Sequence, residues 1–475
     1  MSDASATSSA SNPASFPGTG WKRYPFRIPG ADERHFTLPA AEGDQGLAAN
    51  RYFVEARLRG IRTGRELAFL TIFSTTRIPT GPLTLRDDLY LFSLFDLDNG
   101  RYGTATEHDL PRPGRMRRQY RLNVARGLLD VAFAGGEGRS RLACRRDASG
   151  APVPFSYSLD LCGRDQNGLE MRVQLDLEVR KPPALLGGEE FRGVVTSSAQ
   201  PGTFSYFQTG IELRGRVQWG ELEDQVAGDV GWIDRHFARQ PLGAFTDRRN
   251  SRHRHEWRVL HLDNGWDLSA WQQFDSERGD RLVPFSGVTA QGPEGEVRTT
   301  TDFKVERLSF ARDTGGIAPA RPLATGARYL TDRFHLSVRE WDLSVTAEPL
   351  VAAPAHRTST EYWNGPVRLI GQMAGRAVSG FGFHERTKLW YRPFDLVFVL
   401  RETLRHQPAS GHSGVSPRAL ANRVWECEVL LARDDRRGVR ELLVTDVEPA
   451  LERLAPPGRE AARDACRALI ESLGE

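Results

Sequence analysis

An indole, a carboxylate and an imidazole, the last two capable of acid–base chemistry, stand at alternate positions of one short stretch. Trp232, Asp234 and His236 lie at i, i+2 and i+4 within residues 226–240. If this stretch is an extended strand, all three side chains point to the same side. A carboxylic acid kept neutral by burial can protonate carbon, and a neighbouring imidazole can take a proton from water. Asp234 and His236 are therefore the candidate catalytic residues, with Asp234 as general acid.

The same residues also have a purely structural interpretation. Asp234 and His236 would then bond to each other or to a turn, and Trp232 would be a packing residue, since buried polar groups are costly unless paired. Structural networks perturb carboxylates as readily as active sites do. The sequence leaves both interpretations open.

The elements that must position these side chains are strands. Residues 171–180 alternate apolar and polar side chains for ten positions, which is typical of a half-buried antiparallel strand. Similar runs, punctuated by Gly and Pro, fill most of the chain from residue 51 to about 390. An Asp-Asn-Gly turn stands at residues 98–100 and again at 263–265. The pattern predicts a mainly β fold of barrels or sandwiches, and the paired turns are consistent with two similar β domains in tandem.

Changes in composition predict four segments. Residues 1–20 are rich in Ser, Ala and Pro, which predicts a disordered tail rather than a signal peptide. The two β domains are expected at 21–245 and 246–390. Residues 391–475 form a short appendix that we expect to pack on the barrels, with a helix from Pro393, a hairpin made of residues 424–431 and 439–444, and a closing helix over 459–473.

Composition and charge exclude several classes of protein. The chain has 475 residues, and 64 basic against 61 acidic residues give a net charge of +3, so no nucleic-acid partner is predicted. No run of about 18 apolar residues exists, so the protein is not expected to span a membrane, although peripheral membrane contact stays open. The four scattered cysteines indicate reduced thiols and a cytoplasmic location.

Common cofactor and nucleophile motifs are absent from the sequence. There is no phosphate loop, GxSxG elbow, HExxH or GxGxxG after a strand. His253, His255 and His261 could join His236 around a metal, but no cysteine or carboxylate stands at ligand spacing, and solvated histidines are the simpler interpretation. We therefore expect neither a metal nor another cofactor.

A series of short motifs resembles the AttH-like and carotenoid hydratase (CrtC-like) family. The motifs are Trp232-Ile233-Asp234 after Gly228, Trp257 with the turn at 262–265, residues 362–367, and residues 380–387. Together they span roughly residues 52–387. The pattern usually has His directly after the Asp, whereas Arg235 intervenes in this chain.

The resemblance implies two consecutive lipocalin-like antiparallel β-barrels of the calycin type and an apolar ligand. Family members act on terpenoid, isoflavonoid or polyketide-like molecules by hydration, isomerisation or cyclisation. Carotenoids belong to the same range of ligands. The candidate ligand-binding residues are Trp232, Trp257, Trp271, Tyr362, Trp363 and Glu385.

Two functional hypotheses follow. The first is a cofactor-independent hydratase or isomerase acting on a hydrophobic small molecule, with aromatic faces to stabilise a cation. The second is a protein with the same barrels that binds or carries a hydrophobic ligand without chemistry. In the second case Asp234 and Glu385 are structural.

Overall fold

The computed structural model describes most of the chain. The described ranges are residues 19–31, 34–81, 83–109, 121–187, 193, 202–239, 253–275, 281–283, 286–313, 327–356, 362–408, 416–454 and 458–474. Nearly all of the predicted tail and the predicted boundary at residue 245 lie outside these ranges. The division at that boundary therefore stays a prediction.

The first part of the structure is a strongly curved antiparallel sheet, which with the segment before it we call the first lobe. Within the described residues it has thirteen strands, in the order β6-β5-β4-β3-β15-β14-β11-β10-β9-β8-β7, with β12 paired to β13 and β13 to β15. A small separate pair is formed by β1 (Phe26–Arg27) and β2 (Thr37–Leu38). The strands of the sheet are β3 (Ala49–Gly60), β4 (Glu66–Thr80), β5 (Leu83–Asp96), β6 (Arg101–Asp109), β7 (Leu122–Val124), β8 (Asp130–Gly135), β9 (Gly138–Arg146), β10 (Pro152–Arg164), β11 (Glu170–Val179), β12 (Ala184–Leu185), β13 (Thr203–Thr209), β14 (Ile211–Trp219) and β15 (Leu222–Ala238).

The interior of the first lobe is filled by side chains from its own strands and from the segment that precedes β3. Ile28, Phe36 and Leu38 of that segment are buried in the same apolar core as the inward faces of the strands. The segment also carries Glu42, which is 1% exposed and accepts hydrogen bonds from the hydroxyls of Tyr24 and Tyr157. A carboxyl group therefore lies inside an apolar core.

Burial of Glu42 predicts a specific dependence of stability on pH. Loss of solvation raises its pKa from 4.5 to about 7, even though Tyr157 and Tyr24 favour the charged form. An acid whose folded pKa is raised stabilises the fold fully below its unfolded value, and that contribution is lost as the pH rises through the folded value. A rise of this size corresponds to roughly 3 kcal/mol.

We expect the free energy of unfolding of wild type, relative to Glu42→Gln, to fall between about pH 4.5 and 7. Urea unfolding of both proteins across this range measures the difference, and parallel curves would contradict it.

The second sheet, which we call the second lobe, repeats the antiparallel plan. Within the described residues its ten strands run in the order β20-β19-β17-β16-β27-β26-β25-β24-β21, with β18 paired to β17. A separate hairpin is formed by β22 (Phe310–Arg312) and β23 (Tyr329–Thr331). The strands of the sheet are β16 (His253–Leu262), β17 (Asp267–Asp275), β18 (Arg281–Leu282), β19 (Gly287–Gln291), β20 (Val297–Thr300), β21 (Lys304–Arg307), β24 (Phe334–Val338), β25 (Leu343–Pro349), β26 (Trp363–Met373) and β27 (Arg376–Arg386). The prediction of two consecutive lipocalin-like units in a mainly β fold is confirmed.

The C-terminal appendix is helical throughout its described part. Its elements are α1 (Pro393–Arg405), α2 (Pro417–Ala432), α3 (Arg436–Leu442), a π-helical turn (Leu443–Val447), α4 (Glu448–Leu451) and α5 (Gly458–Ser472). The two predicted helices are present as α1 and α5. The hairpin predicted from residues 424–431 and 439–444 is wrong, because both runs are helical. Ser416 caps α2 by accepting a hydrogen bond from the amide of Ala419, and Pro417 occupies the first turn.

The two lobes pack through the outer faces of their sheets, along a contact that we call the seam. Phe53, Leu70 and Leu91 of the first lobe share one apolar cluster with Phe381 and Phe383 of the second. Buried polar contacts accompany this packing. Lys181 Nζ lies 2.6 Å from Asp267 Oδ2, the ring of His261 lies 2.6 Å from the same carboxylate, and His356 Nδ1 lies 3.1 Å from Ser93 Oγ. The seam therefore encloses polar and aromatic side chains of both lobes.

Among the described residues, no helix has the length and apolar character needed to cross a membrane.

Candidate functional site between the two lobes

Trp232, Asp234 and His236 lie on one face of strand β15, as their spacing predicts. Ile233, which lies between Trp232 and Asp234, and Phe237, which follows His236, point into the core of the first lobe. Trp232 belongs instead to a cluster with Trp257 and Val259 of the second lobe. The face that carries the three candidates is thus turned toward the seam.

A β-bulge decides that orientation. Ala227 is opposite Arg59 of β3, but Val230 is opposite Arg57, so β15 contains one extra residue between these pairs. Before the bulge, Val226 points into the core of the first lobe, whereas the even-numbered residues after it point outward. A one-residue shift exchanges the two faces of a strand. Gly228 permits the close approach, because a Cβ atom there would lie 2.3 Å from the carbonyl oxygen of Arg57.

Arg235 occupies the opposite face of the same strand. Its guanidinium donates hydrogen bonds to the carbonyl of Gly43 at 2.8 Å and to Asn50 Oδ1 at 2.7 Å, and it stacks over Tyr52. The residue that separates Asp234 from His236 in the motif therefore anchors the segment that fills the first lobe. It does not face the seam.

Asp234 and His236 form a close buried pair. His236 Nε2 lies 2.8 Å from Asp234 Oδ1, outside hydrogen-bond geometry, and Ser205 Oγ donates to the same oxygen at 3.2 Å. The His236 ring lies against Phe53 and Trp257, at centroid distances of 5.4 Å and 5.6 Å. The pair is enclosed by side chains of both lobes.

The second lobe contributes a hydrogen-bonded group around Glu385. Tyr362 donates its hydroxyl to Glu385 Oε2 at 2.7 Å, and His255 Nε2 lies 2.5 Å from Glu385 Oε1. Asn364 donates to the Tyr362 hydroxyl at 3.2 Å. Glu385 lies on β27, and its partners come from β16 and β26, the strands on either side of β27, and from the residue preceding β26.

A small cavity lies between these groups. Its volume is about 10 Å³, and it is lined by Phe53, Glu55, Trp232, Trp257, Val259, Asn364, Phe383 and Glu385. Within the described part of the chain, Asp234 and His236 do not line it. Sites for drug-sized ligands are usually about 300 to 1,000 Å³, whereas this space is about that of a single water molecule. The site is therefore closed in this conformation.

The two carboxyl groups on the cavity wall have opposite electrostatic surroundings. Burial raises the pKa of Glu55 well above its usual value, and the nearby charges of Glu385 and Asp234 raise it further. Burial alone would also raise the pKa of Glu385, but the hydrogen bond and charge of His255, together with the Tyr362 hydroxyl, outweigh it and lower the pKa. The surroundings therefore favour the neutral form of Glu55 and the ionised form of Glu385 in the same enclosed space.

Sequence reasoning missed Glu55. Tyr52, Val54 and Ala56 share the inward face of β3, so the alternation places Glu55 on the outer face, which is solvated in an isolated sheet. The signal that could have found it is Phe53, an aromatic residue on that same outer face. The docking of the second lobe is what buries them both.

The structure brings together some of the predicted ligand-binding residues and separates others. Trp232, Trp257 and Glu385 line the cavity, and Tyr362 is bonded directly to Glu385. Trp271 belongs to the adjoining seam cluster with Trp257. Trp363 lies elsewhere, in a separate cluster with Leu330, Ala355 and Leu389.

The described histidines and carboxylates do not assemble into a metal site. No group of three or more His, Cys, Asp or Glu with suitable geometry occurs among them. His255 and His261 each face a single carboxylate, Glu385 and Asp267. Each of these histidines belongs to an ion-pair network of the seam.

Two lipocalin-like lobes with a polar, aromatic site at their seam define the structural class, and comparison identifies the family. Residues 146–387, just over half of the chain, match the AttH-like family model, and the protein belongs to that family. The predicted resemblance to AttH-like proteins is therefore confirmed.

Solved structures show the same fold. A Nitrosomonas europaea protein assigned as an AttH is 17% identical, with a TM-score of 0.52, over 76% of this chain and 98% of its own. Kievitone hydratase from Nectria haematococca is 10% identical, with a TM-score of 0.52, over 77% of this chain and 98% of its own. At these identities the likeness shows the fold alone. No curated protein sequence matches the chain.

Proposed function

We propose that the protein binds a hydrophobic small molecule at the seam and transforms it by proton transfer without a cofactor, with addition of water to a carbon–carbon double bond as the reaction. The observation that carries this proposal is the cavity wall, where aromatic faces and two carboxyl groups stand together. A terpenoid, carotenoid or polyketide-like molecule offers the apolar surface and the double bond. One solved structure of the same fold is named as a hydratase, which agrees with the proposal.

The wall suits a reaction that passes through a cation. Protonation of a double bond leaves positive charge on carbon, and the face of an indole ring attracts such charge by about 0.5 to 2 kcal/mol. Trp257 is well placed because its N–H donates to Ser269 Oγ at 2.7 Å, which fixes the ring. Trp232 is fixed by stacking on Phe207 at a centroid distance of 4.2 Å.

The rival function is a binding protein that performs no reaction. The contacts of Asp234 favour it, since this carboxylate is enclosed with His236 and Ser205 and could serve only to hold β13, β15 and the second lobe together. Binding alone would use the apolar wall and leave the carboxyl groups structural. The two functions share a ligand site and differ in turnover.

The test begins with mass spectrometry of any small molecule that co-purifies with the full-length protein. A panel of polyenes, prenylated aromatics and polyketides is then incubated with the protein in ¹⁸O-labelled water. Hydration places the label in a new hydroxyl group of the product. Binding without any conversion across the panel would support the carrier function and refute the proposed hydratase.

Trp257→Leu provides a second prediction about the same wall. The substitution keeps an apolar side chain but removes the aromatic face, so turnover should fall by about 2-fold to 30-fold, corresponding to the cation–π contribution. Ligand affinity should change less than turnover. Trp425→Leu is the control, because Trp425 is 52% exposed on helix α2. Equal losses of affinity and turnover would show that Trp257 serves binding only.

A further inference from the structure

Each lobe presents one glutamate and one tryptophan to the seam cavity from directly opposed strand positions. On the first sheet, Glu55 of β3 stands opposite Trp232 of β15. On the second sheet, Glu385 of β27 stands opposite Trp257 of β16. All four residues line the same cavity. Each sheet therefore contributes one pair of Glu and Trp to the wall of the cavity.

The partners of the two glutamates differ. Glu385 is held by His255 and Tyr362, and the positive charge of Arg51 and the ring of His236 also face it. Glu55 faces the carboxylates of Glu385 on β27 and Asp234 on β15, and the amide of Asn364 on β26. Two carboxyl groups in one enclosed space ionise at different pH values when their surroundings differ in this way. The group with the higher pKa then serves as the acid and the other as the base.

We propose that Glu55 is the proton donor and Glu385 the proton acceptor of the reaction at the seam, an assignment that rests on the proposed function. The Glu55 carboxylic acid gives its proton to one carbon of the double bond, which forms a C–H bond and leaves a cation on the other carbon. Water adds its oxygen to that carbon, and Glu385 takes the proton that the water releases. The product is an alcohol, and the proton then returns from Glu385 to Glu55, which restores both groups.

The assignment gives Asp234 and His236 a positioning role. Asp234 is 0% exposed, shares one oxygen with Ser205 and His236, and does not line the described cavity wall. His236 packs on Phe53 and Trp257, so the pair fixes two rings of that wall. Asp234→Asn therefore distinguishes the two assignments, because this substitution removes the proton donor only if Asp234 is the acid.

The first experiment needs no substrate. Infrared spectroscopy of the full-length protein at neutral pH should show, in addition to the band of Glu42, whose pKa is about 7, the carbonyl band of a protonated carboxyl group that disappears in Glu55→Gln and persists in Asp234→Asn. In Glu385→Gln the Glu55 band should disappear at a lower pH than in wild type, because the negative charge of Glu385 no longer repels ionised Glu55. Absence of a Glu55 band at neutral pH, or a titration unchanged in Glu385→Gln, overturns the proposal.

The second experiment uses a substrate found in the labelled-water panel. Wild type should show a bell-shaped dependence of kcat/KM on pH, with its acidic limb from Glu385 and its basic limb from Glu55. Glu55→Gln and Glu385→Gln should each lower kcat by about 100-fold to 10,000-fold, with little change in ligand affinity. Asp234→Asn should keep both limbs, with the basic limb moved to lower pH because one of the charges that raise the pKa of Glu55 is gone. Full turnover in Glu55→Gln overturns the assignment.

If wild type converts no compound, the proposed function fails. The infrared band still decides whether Glu55 and Glu385 form a pair of one carboxylic acid and one carboxylate.

Discussion

Replacing Glu256 by Gln is expected to destabilise the protein by about 3 to 5 kcal/mol, the cost of breaking a buried ion pair. Glu256 lies inside the second lobe and is 0% exposed. Its Oε2 accepts hydrogen bonds from Arg258 at 2.6 Å and from Arg307 at 2.9 Å, and Thr331 donates to its other oxygen. The substitution preserves the shape of the side chain but leaves two guanidinium groups without their anion.

The charge on Glu256 is secured by these arginines. Burial alone would raise its pKa, but Arg307 and Arg258 outweigh burial and lower it to about 2. A lowered pKa contributes stability that is complete above the unfolded value near 4.5 and is lost as the pH falls toward 2. The difference between wild type and Glu256→Gln should therefore be large at neutral pH and shrink in acid.

Glu348 provides a matched control on the same lobe. It also pairs with two arginines, Arg333 at 3.3 Å and Arg368 at 2.8 Å, but all three side chains are at least one third exposed. Such surface pairs contribute about 0 to 1 kcal/mol. Urea unfolding of both variants gives the comparison. Similar midpoints for Glu256→Gln and Glu348→Gln would show that the buried cluster is dispensable.

Removing residues 391–475 is the second change with a large expected effect. The helices cover Ala327, Tyr329 and Trp390 of the second lobe, and the Tyr329 hydroxyl donates to Asp464 Oδ2 at 2.7 Å. Deletion exposes this apolar surface to water, which favours aggregation. We expect the shortened chain to be insoluble or to unfold at a clearly lower temperature than the full chain. An unchanged unfolding temperature would contradict this prediction.

Two substitutions on helix α1 test whether the appendix stabilises the protein through its packed face. Val397 is buried in the shared cluster, so Val397→Asp should reproduce much of the effect of deletion. Phe394 lies on the same helix but is 50% exposed. Phe394→Asp should therefore be nearly neutral, and thermal unfolding of the two variants side by side measures the contrast.

Local pattern predicted the strands well and the appendix poorly, for a physical reason. A ten-residue alternation has a period of two and is satisfied only by a strand with one buried face. Within residues 424–431 the alternation lasts only from Trp425 to Val429, which is too short to distinguish a strand from a helix. The Ser416-Pro417 pair was the helix-start signal that favoured α2.

By itself, the sequence determined that Trp232, Asp234 and His236 share one face, because side chains alternate along any strand. It also determined the family, through motifs whose order survives along the chain. Tertiary structure decided which way that face points, since the bulge after Ala227 exchanges the two sides of β15. It also decided the chemistry available there. Glu55 becomes a buried acid only when Glu385 and its neighbours on the second lobe cover it, and an interaction between residues 330 positions apart leaves no trace in local sequence pattern.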